Sequence, residues 1–179
     1  RIKCITHRKN PIFYMLQMPW ENDWLAAPVT EAAGLQALRI ASVQPVDIRA
    51  PVGSCGYWSL IASIKKRPGE GKNAVAALLS VAEVKFVIVT DDDIDIYNPD
   101  ELDWAIAFRV QADEDAVILK GARAKHIDPS VKSWLLGKGG LPTTAKLGID
   151  ATIPEGVPKI LYRRIKNYGR DRIKLEDFE

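Results

Sequence analysis

The chain has 179 residues, 47% hydrophobic and 27% charged, with a formal net charge of +2 at pH 7. This composition is typical of one globular domain and excludes intrinsic disorder, while the small net charge and the lack of a long apolar run argue against nucleic-acid and membrane partners. The two cysteines have no metal-ligand spacing, which favours a reducing, cytoplasmic compartment.

The first half of the chain predicts alternating strands and helices. Residues 2–7 and 12–16 are short β-favouring runs around a turn-forming segment, which predicts a hairpin. Apolar residues then recur with helical spacing from Pro28 to about Ser42. Residues 46–50 and 57–65 have strand-like composition, so two further strands are predicted there.

The second half begins with a helix opened by Pro68 and Gly69, for which the spacing predicts a core face of Val75, Ala76, Leu78, Leu79 and Ala82. Continuous hydrophobicity over 86–89 predicts a central strand covered on both faces. Asn98 and Pro99 are a helix cap and first helical residue, and 116–119 reads as a strand.

Together these elements predict an α/β fold in which helices cover a mixed β-sheet. Residues 121–158 show no convincing periodicity and contain many glycines and prolines. We therefore predict a long ordered loop over that range, of the kind that is usually functional or binds a neighbour.

A run of carboxylates follows the predicted central strand, with Asp91, Asp92, Asp93 and Asp95 in five residues. Carboxylate oxygens are the ligands that Mg²⁺ and Mn²⁺ prefer, and a strand ending in D-x-D is typical of Mn²⁺-dependent glycosyltransferases. The alternative interpretation is structural, in which these residues cap the next helix or pair with Lys and Arg. Both interpretations are left open by the residues themselves.

Other candidate sites are weaker. A glycine loop over 137–140 followed by Lys146 could approach a phosphate, although its spacing is not that of a nucleotide-binding loop. His7 and His126 have no metal-ligand spacing, and Cys55 lies in no nucleophile motif. The five tryptophans, at 20, 24, 58, 104 and 134, could line an aromatic pocket or simply pack.

Four motifs occur in a specific order: T-H-R-x-x-P-I from Thr6, K-F-V-I-V-T-D-D-D-I-D-I from Lys85, W-A from Trp104 with Arg109 downstream, and K-x-G-x-D-A-T from Lys146. Over about residues 1–154 this set resembles the C-terminal part of the UbiD family of non-oxidative carboxy-lyases. Members of that family use prenylated FMN to decarboxylate, often reversibly, aromatic or α,β-unsaturated carboxylic acids. The cofactor acts as the electron sink while CO₂ leaves.

The resemblance implies a role for a few residues of this chain. Lys146 matches the family lysine that approaches the flavin phosphate, and Trp24 and Leu25 fall near the segment that walls the substrate pocket. The ligands of Mn²⁺ and K⁺, and the catalytic Glu, Arg and Glu/Asp set, would lie upstream. The chain would then contain no catalytic residue and no metal ligand, and would be inactive by itself. The family assigns no metal to Asp91–Asp95, which favours a structural role for that turn.

The resemblance also implies a domain organisation. Residues 1–19 would be the last strands of a split-barrel flavin domain, 20–158 an α/β oligomerisation domain, and 159–179 a basic tail docking on a neighbouring subunit through Tyr162, Ile165, Tyr168 and Ile173. The expected partners are an N-terminal flavin-binding portion or subunit, further copies in a dimer or hexamer, and a small aromatic or unsaturated acid. The alternatives are a non-catalytic scaffold domain and a glycosyltransferase using Asp91 and Asp93.

Overall fold

A computed structural model describes residues 1–13, 15, 23–125, 127–131 and 142–164 of the chain. The helices are α1 (Asp23–Ile40), α2 (Glu70–Leu79), α3 (Pro99–Arg109) and the short α4 (Ala112–Asp115), and the strands are β1 (Pro45–Arg49), β2 (Ser59–Ile64), β3 (Phe86–Asp91), β4 (Ala116–Arg123) and β5 (Thr143–Ala151). Single 3₁₀ turns cover Val52–Ser54 and Lys159–Tyr162. No helix among the described ranges is long and apolar enough to cross a bilayer.

The strands form one mixed sheet in the order β1-β2-β3-β5-β4. The three inner strands β2, β3 and β5 are parallel, and β1 and β4 pair antiparallel at the two edges. The predicted α/β class with a mixed sheet is confirmed, and β3 is the central strand. Asn98 also caps α3 as predicted, since its side-chain oxygen accepts a hydrogen bond from the Asp100 amide at 3.1 Å.

The main core lies between α1 and α2 and one face of the sheet, where buried side chains from β2 and β3 meet those of α2, such as Val75 and Leu78. The other face is partly covered by α3, through Ala105 against Ala151 and the neighbouring Ile88 and Ile149. The two faces therefore differ. Two helices, α1 and α2, pack on one face, and among the described residues α3 packs on the other near the carboxyl ends of the strands.

The prediction of a loop over 121–158 is wrong, because β5 occupies Thr143–Ala151 and lies between β3 and β4. Its apolar pattern is interrupted by Lys146, Gly148 and Asp150, which share the α2 face of the strand. Gly148 is needed for this packing, since a Cβ added there would lie 2.3 Å from Cγ1 of Val75. At Gly148 the close approach of α2 leaves no room for a hydrophobic side chain, so the apolar pattern that would predict a strand is broken there.

Three smaller predictions also differ from the structure. The described residues 1–13 form no strand and their large apolar side chains are exposed, so the predicted strand over 2–7 is absent, while the second predicted run, 12–16, is described only in part. α1 begins at Asp23 and continues through Pro28, where the hydroxyl of Thr30 bonds the carbonyl oxygen of Ala26 at 3.0 Å. Ala76 in α2 and Ala82, which lies beyond the end of that helix, are exposed rather than in the core.

Candidate functional site

The parallel strands β2, β3 and β5 all end at the same edge of the sheet, which is where α/β folds usually bind ligands. Polar side chains gather at this edge from the last residues of the strands, from the residues just after them and from α3. We call them the carboxyl-edge cluster: Lys66, Asp91, Asp93, Arg109, Asp150 and Thr152. Most of these residues are largely buried and are joined by hydrogen bonds and ion pairs, and the cluster is therefore the candidate site.

Arg109 is the centre of this cluster and is only 1% exposed. Its guanidinium makes a bidentate contact with Asp93, with nitrogen–oxygen distances of 3.1 and 2.6 Å, and lies 3.6 Å from Oδ2 of Asp91. The rings of Trp104 and Tyr162 lie 5.1 and 5.7 Å from its central carbon. Arg109 thus joins the end of α3 to the turn after β3 by charge-assisted hydrogen bonds with Asp93, and to the end of β3 by an ion pair with Asp91.

Asp91 ends β3 and is 4% exposed. Its Oδ2 accepts a hydrogen bond from the amide of Ile153 at 2.6 Å, which fixes the segment that follows β5. Burial raises the pKa of the Asp91 carboxyl above its usual 3.8, although the Ile153 amide, Lys66 and Arg109 all act in the opposite direction. Desolvation is therefore the dominant influence on this carboxylate.

We predict that Asp91 makes the protein less stable as pH rises. A folded-state pKa above the unfolded one means that the folded chain holds the proton more tightly, so stability falls as pH rises from about 3.8 through the folded pKa. Urea unfolding of wild type and Asp91→Asn across this pH range measures the effect, because the other titrating groups are common to both. The wild type should lose stability relative to Asp91→Asn as pH rises. A difference that stays constant with pH would contradict the raised pKa.

The remaining part of the cluster ties β2 to β5. Lys66 donates to the hydroxyl of Thr152 at 3.0 Å and to the carbonyl oxygen of Ile153 at 2.6 Å. Oδ1 of Asp150 accepts from both the amide and the hydroxyl of Thr152, at 3.1 and 2.6 Å. Asp150 lies against Gly71 at the start of α2, where an added Cβ would be 2.1 Å from Oδ2 of Asp150. These contacts form one wall of a cavity of about 530 Å³.

The predicted structural role of the Asp91–Asp95 turn is confirmed. Asp91 and Asp93 bind Arg109, and Oδ1 of Asp95 accepts from the Tyr97 amide at 2.9 Å. The Asp95 amide in turn donates to Glu101 at 2.8 Å. Within the described ranges no three His, Cys, Asp or Glu side chains are grouped to hold a metal ion. The contacts of the D-x-D pair with Arg109 therefore do not support the glycosyltransferase alternative.

Lys146 lies at the opposite, amino end of the sheet from this cluster. It is 5% exposed, and its ammonium donates to the carbonyl oxygens of Leu79 and Val81 at 2.7 and 2.9 Å, at the end of α2. Burial lowers the pKa of the ammonium below its usual 10.5. This arrangement does not fit a flavin phosphate, because the donors are bound to backbone carbonyls. The phosphate role stays a prediction, and it would require the ammonium to give up its hydrogen bonds to the carbonyl oxygens of Leu79 and Val81.

The other predicted site residues are spread over the fold. Leu25 lies in the first turn of α1 and is 54% exposed, while the side chain of Trp24 lies outside the described part of the structure. Trp58 lines an apolar cavity of about 570 Å³ at the amino end of the sheet, and Trp104 packs on Arg109. Trp20, Trp134, His126 and the glycine loop at 137–140 fall outside the described residues.

The importance of Lys66, Tyr162 and Arg164 was not predicted. Arg164 binds Glu101, with nitrogen–oxygen distances of 2.7 and 3.1 Å, and donates to the Asp93 carbonyl oxygen at 3.0 Å. Tyr162, which the sequence placed against a neighbouring subunit, has its ring over Arg109 of its own chain. The sequence signal for this cluster was Arg109, which lies on the apolar side of a helix that follows the acidic run. A buried arginine needs a charged partner, and the acidic run could supply one.

Known proteins match this fold and this segment. The family model described as the 3-octaprenyl-4-hydroxybenzoate carboxy-lyase C-terminal domain, UbiD_C, matches residues 23–151, which is most of the chain. The chain belongs to the UbiD family. The match covers the whole sheet, α1 to α4 and the carboxyl-edge cluster except Thr152. The resemblance drawn from the sequence motifs is therefore confirmed.

Individual relatives of this UbiD-family chain are decarboxylases. An anhydromevalonate phosphate decarboxylase from Archaeoglobus fulgidus is 46% identical over 83% of this chain and 36% of its own length. A gallate decarboxylase from Lactiplantibacillus plantarum is 33% identical over 86% of this chain and 33% of its own length. The chain therefore spans about a third of the length of the curated relatives it matches.

A solved structure shares the fold. The UbiD-class enzyme HmfF from Pelotomaculum thermopropionicum, in complex with FMN, has a TM-score of 0.73 and 37% identity over 89% of this chain and 34% of its own. An evolved dimeric form of the same enzyme, with a TM-score of 0.65 and 31% identity over 89% of this chain and 32% of its own, was solved with prFMN. This UbiD-family chain thus has the fold of part of a flavin-binding enzyme.

Proposed function

We propose that this chain is the C-terminal domain of a prenylated-FMN-dependent carboxy-lyase. The observation that supports this most directly is the 46% identity to a decarboxylase over 83% of the chain, together with the family match over 23–151. Prenylated FMN would supply the electron sink for CO₂ loss or addition. Residues 1–19 would belong to the flavin domain and 20–158 to the oligomerisation domain.

The substrate we propose is an unsaturated carboxylic acid that carries a phosphate. The more identical relative is named for anhydromevalonate phosphate, a name that denotes a dehydrated hydroxy acid, whereas the relative named for gallate, an aromatic acid, is 33% identical. Both substrate types have a carboxylate conjugated to an sp² carbon, which is the common chemical feature. An aromatic acid is therefore the second candidate substrate.

The catalytic Glu, Arg and Glu/Asp set and the ligands for Mn²⁺ and K⁺ would come from an N-terminal portion or partner subunit, in a homo-oligomer. The relatives are about three times as long as their matched segment, which leaves room for such a portion. Within this chain, the described residues of the carboxyl-edge cluster bind one another. Their role in the proposal is to hold the β3–α3 turn and the segment after β5 in place.

The proposal is tested by measuring CO₂ release from the flavin-loaded assembly that contains this chain. We expect release from anhydromevalonate phosphate, and slower or no release from gallate. Release from gallate alone would favour the aromatic alternative. Release from neither acid by an assembly that holds prenylated FMN would contradict the proposed substrate class. A matched assembly without this chain is the control for its contribution.

A further inference from the structure

We infer that residues 158–164 form a releasable strap, which closes over the β3–α3 turn and fixes the point at which the C-terminal tail leaves the fold. The strap contains the 3₁₀ turn Lys159–Tyr162 and lies beyond residue 151, where the family match ends. Tyr162 and Arg164 hold it against α3 and the turn. This conformational device belongs to the chain itself and does not rest on the proposed function.

The first attachment of the strap is the side chain of Arg164. Its guanidinium nitrogens lie 2.7 Å from Oε1 of Glu101 and 3.1 Å from Oε2, and Nη2 also donates to the carbonyl oxygen of Asp93 at 3.0 Å. A bidentate pair of this kind fixes geometry as well as supplying charge attraction. Oε2 of Glu101 accepts a further hydrogen bond from the Asp95 amide at 2.8 Å. Arg164 therefore binds the same groups that shape the β3–α3 turn.

The second attachment is aromatic. The ring of Tyr162 lies 5.7 Å from the central carbon of Arg109. The ring of Trp104 contacts both arginines, with its centroid 5.1 Å from the central carbon of Arg109 and 5.4 Å from that of Arg164. Such cation–π contacts stabilise a fixed approach of ring and guanidinium. Closure of the strap is therefore coupled to the surroundings of the buried Arg109.

The packing of the strap indicates that it can open. Ile160 and Leu161 are 64% and 72% exposed, so the strap buries little of its apolar surface. A cavity of about 350 Å³ lies between residues of the strap and the side chains of Asp93 and Ile153. The ion pair of Arg164 is partly exposed, and such pairs contribute little to stability. The strap can therefore be released while the sheet stays folded.

Hydrogen–deuterium exchange of the 179-residue chain tests the strap. The amides of Leu161 and Arg163 donate within it, at 3.0 and 3.2 Å, so they report its closed state. Arg164→Met should raise exchange over 158–164 by about tenfold, while α2 should exchange as in wild type. Arg163→Met is the matched control, because Arg163 is the exposed neighbour of Arg164 and should leave the strap closed.

Two substitutions of Tyr162 test the second attachment. Tyr162→Ala should open the strap as Arg164→Met does, because it removes the ring from Arg109. Tyr162→Phe keeps the ring and should leave the strap closed. Glu101→Gln should open it from the other side, since the charge is lost while an oxygen remains to accept from the Asp95 amide.

Several results would overturn the inference. They are a wild-type strap that exchanges like an unprotected peptide, a strap that neither Arg164→Met nor Tyr162→Ala opens, and an Arg163→Met variant that opens as far as Arg164→Met. Exchange in α2 that rises as much as exchange in the strap would also contradict it, because the release would then be global unfolding. None of these exchange rates depends on carboxy-lyase activity, so failure here is distinguishable from failure of the proposed function.

Discussion

Arg109→Met is expected to lower the free energy of unfolding by roughly 3–5 kcal/mol, because it leaves the buried Asp91 without its arginine partner. The side chain of Met is similar in length to the aliphatic part of Arg, so the loss reports on charge more than on volume. Urea unfolding at pH 7 measures the change. Arg39→Met, at an exposed position in the last turn of α1, is the matched control and should have little effect.

A double variant separates the buried charge from the packing. Adding Asp91→Asn to Arg109→Met should recover part of the loss, because the uncompensated carboxylate is removed while an oxygen remains to accept from the Ile153 amide. If Arg109→Met is as stable as wild type, Arg109 does not hold the β3–α3 turn. If the double variant recovers nothing, the ion pair with Asp91 is not the source of the effect.

Lys146→Met is expected to lower the free energy of unfolding by about 2–6 kcal/mol, since the carbonyl oxygens of Leu79 and Val81 would each lose a hydrogen-bond donor worth about 1–3 kcal/mol. The measurement is made on the 179-residue chain without flavin, so a loss of stability cannot come from a lost cofactor contact. Lys65→Met, at an exposed position just after β2, is the matched control.

The same variant distinguishes the two roles of Lys146. A chain in which Lys146→Met unfolds like wild type, but whose assembled enzyme loses its flavin, would support the phosphate contact predicted from the family. A destabilised chain supports the contact with the end of α2. The geometry favours the second result, because the ammonium is buried and both of its hydrogen bonds go to backbone oxygens.

The strands and helices that follow simple patterns were predictable from the sequence. The apolar run of β3 and the Asn98 cap of α3 appear where the residues indicate them. β5 was not predictable, because its α2-facing positions hold a lysine that binds carbonyl oxygens, a glycine that admits Val75 and an aspartate that packs on Gly71. Each of these residues is explained only by a partner distant in sequence.

The candidate site was likewise predictable only in part from the sequence. The acidic turn after β3 was visible, and the family resemblance indicated that it is structural. The contributions of Lys66 and Arg164 to the site were not predictable, because these residues come from separate parts of the chain. Lys66 contacts Ile153, and Arg164 contacts Glu101. Contacts made through tertiary packing leave no periodic signal in the sequence. The family was nevertheless identifiable, since its motifs retain both residue type and order.

The central claim is that this chain acts as one part of a flavin-dependent carboxy-lyase. Native mass spectrometry of the protein captured from its source cells tests it most directly, by reading chain masses and bound flavin together. The account predicts that residues 1–179 occur in an assembly that holds prenylated FMN, within a longer chain or beside a flavin-binding subunit. A free species of 19.9 kDa, or its homo-oligomer, without any flavin-bearing partner would contradict it.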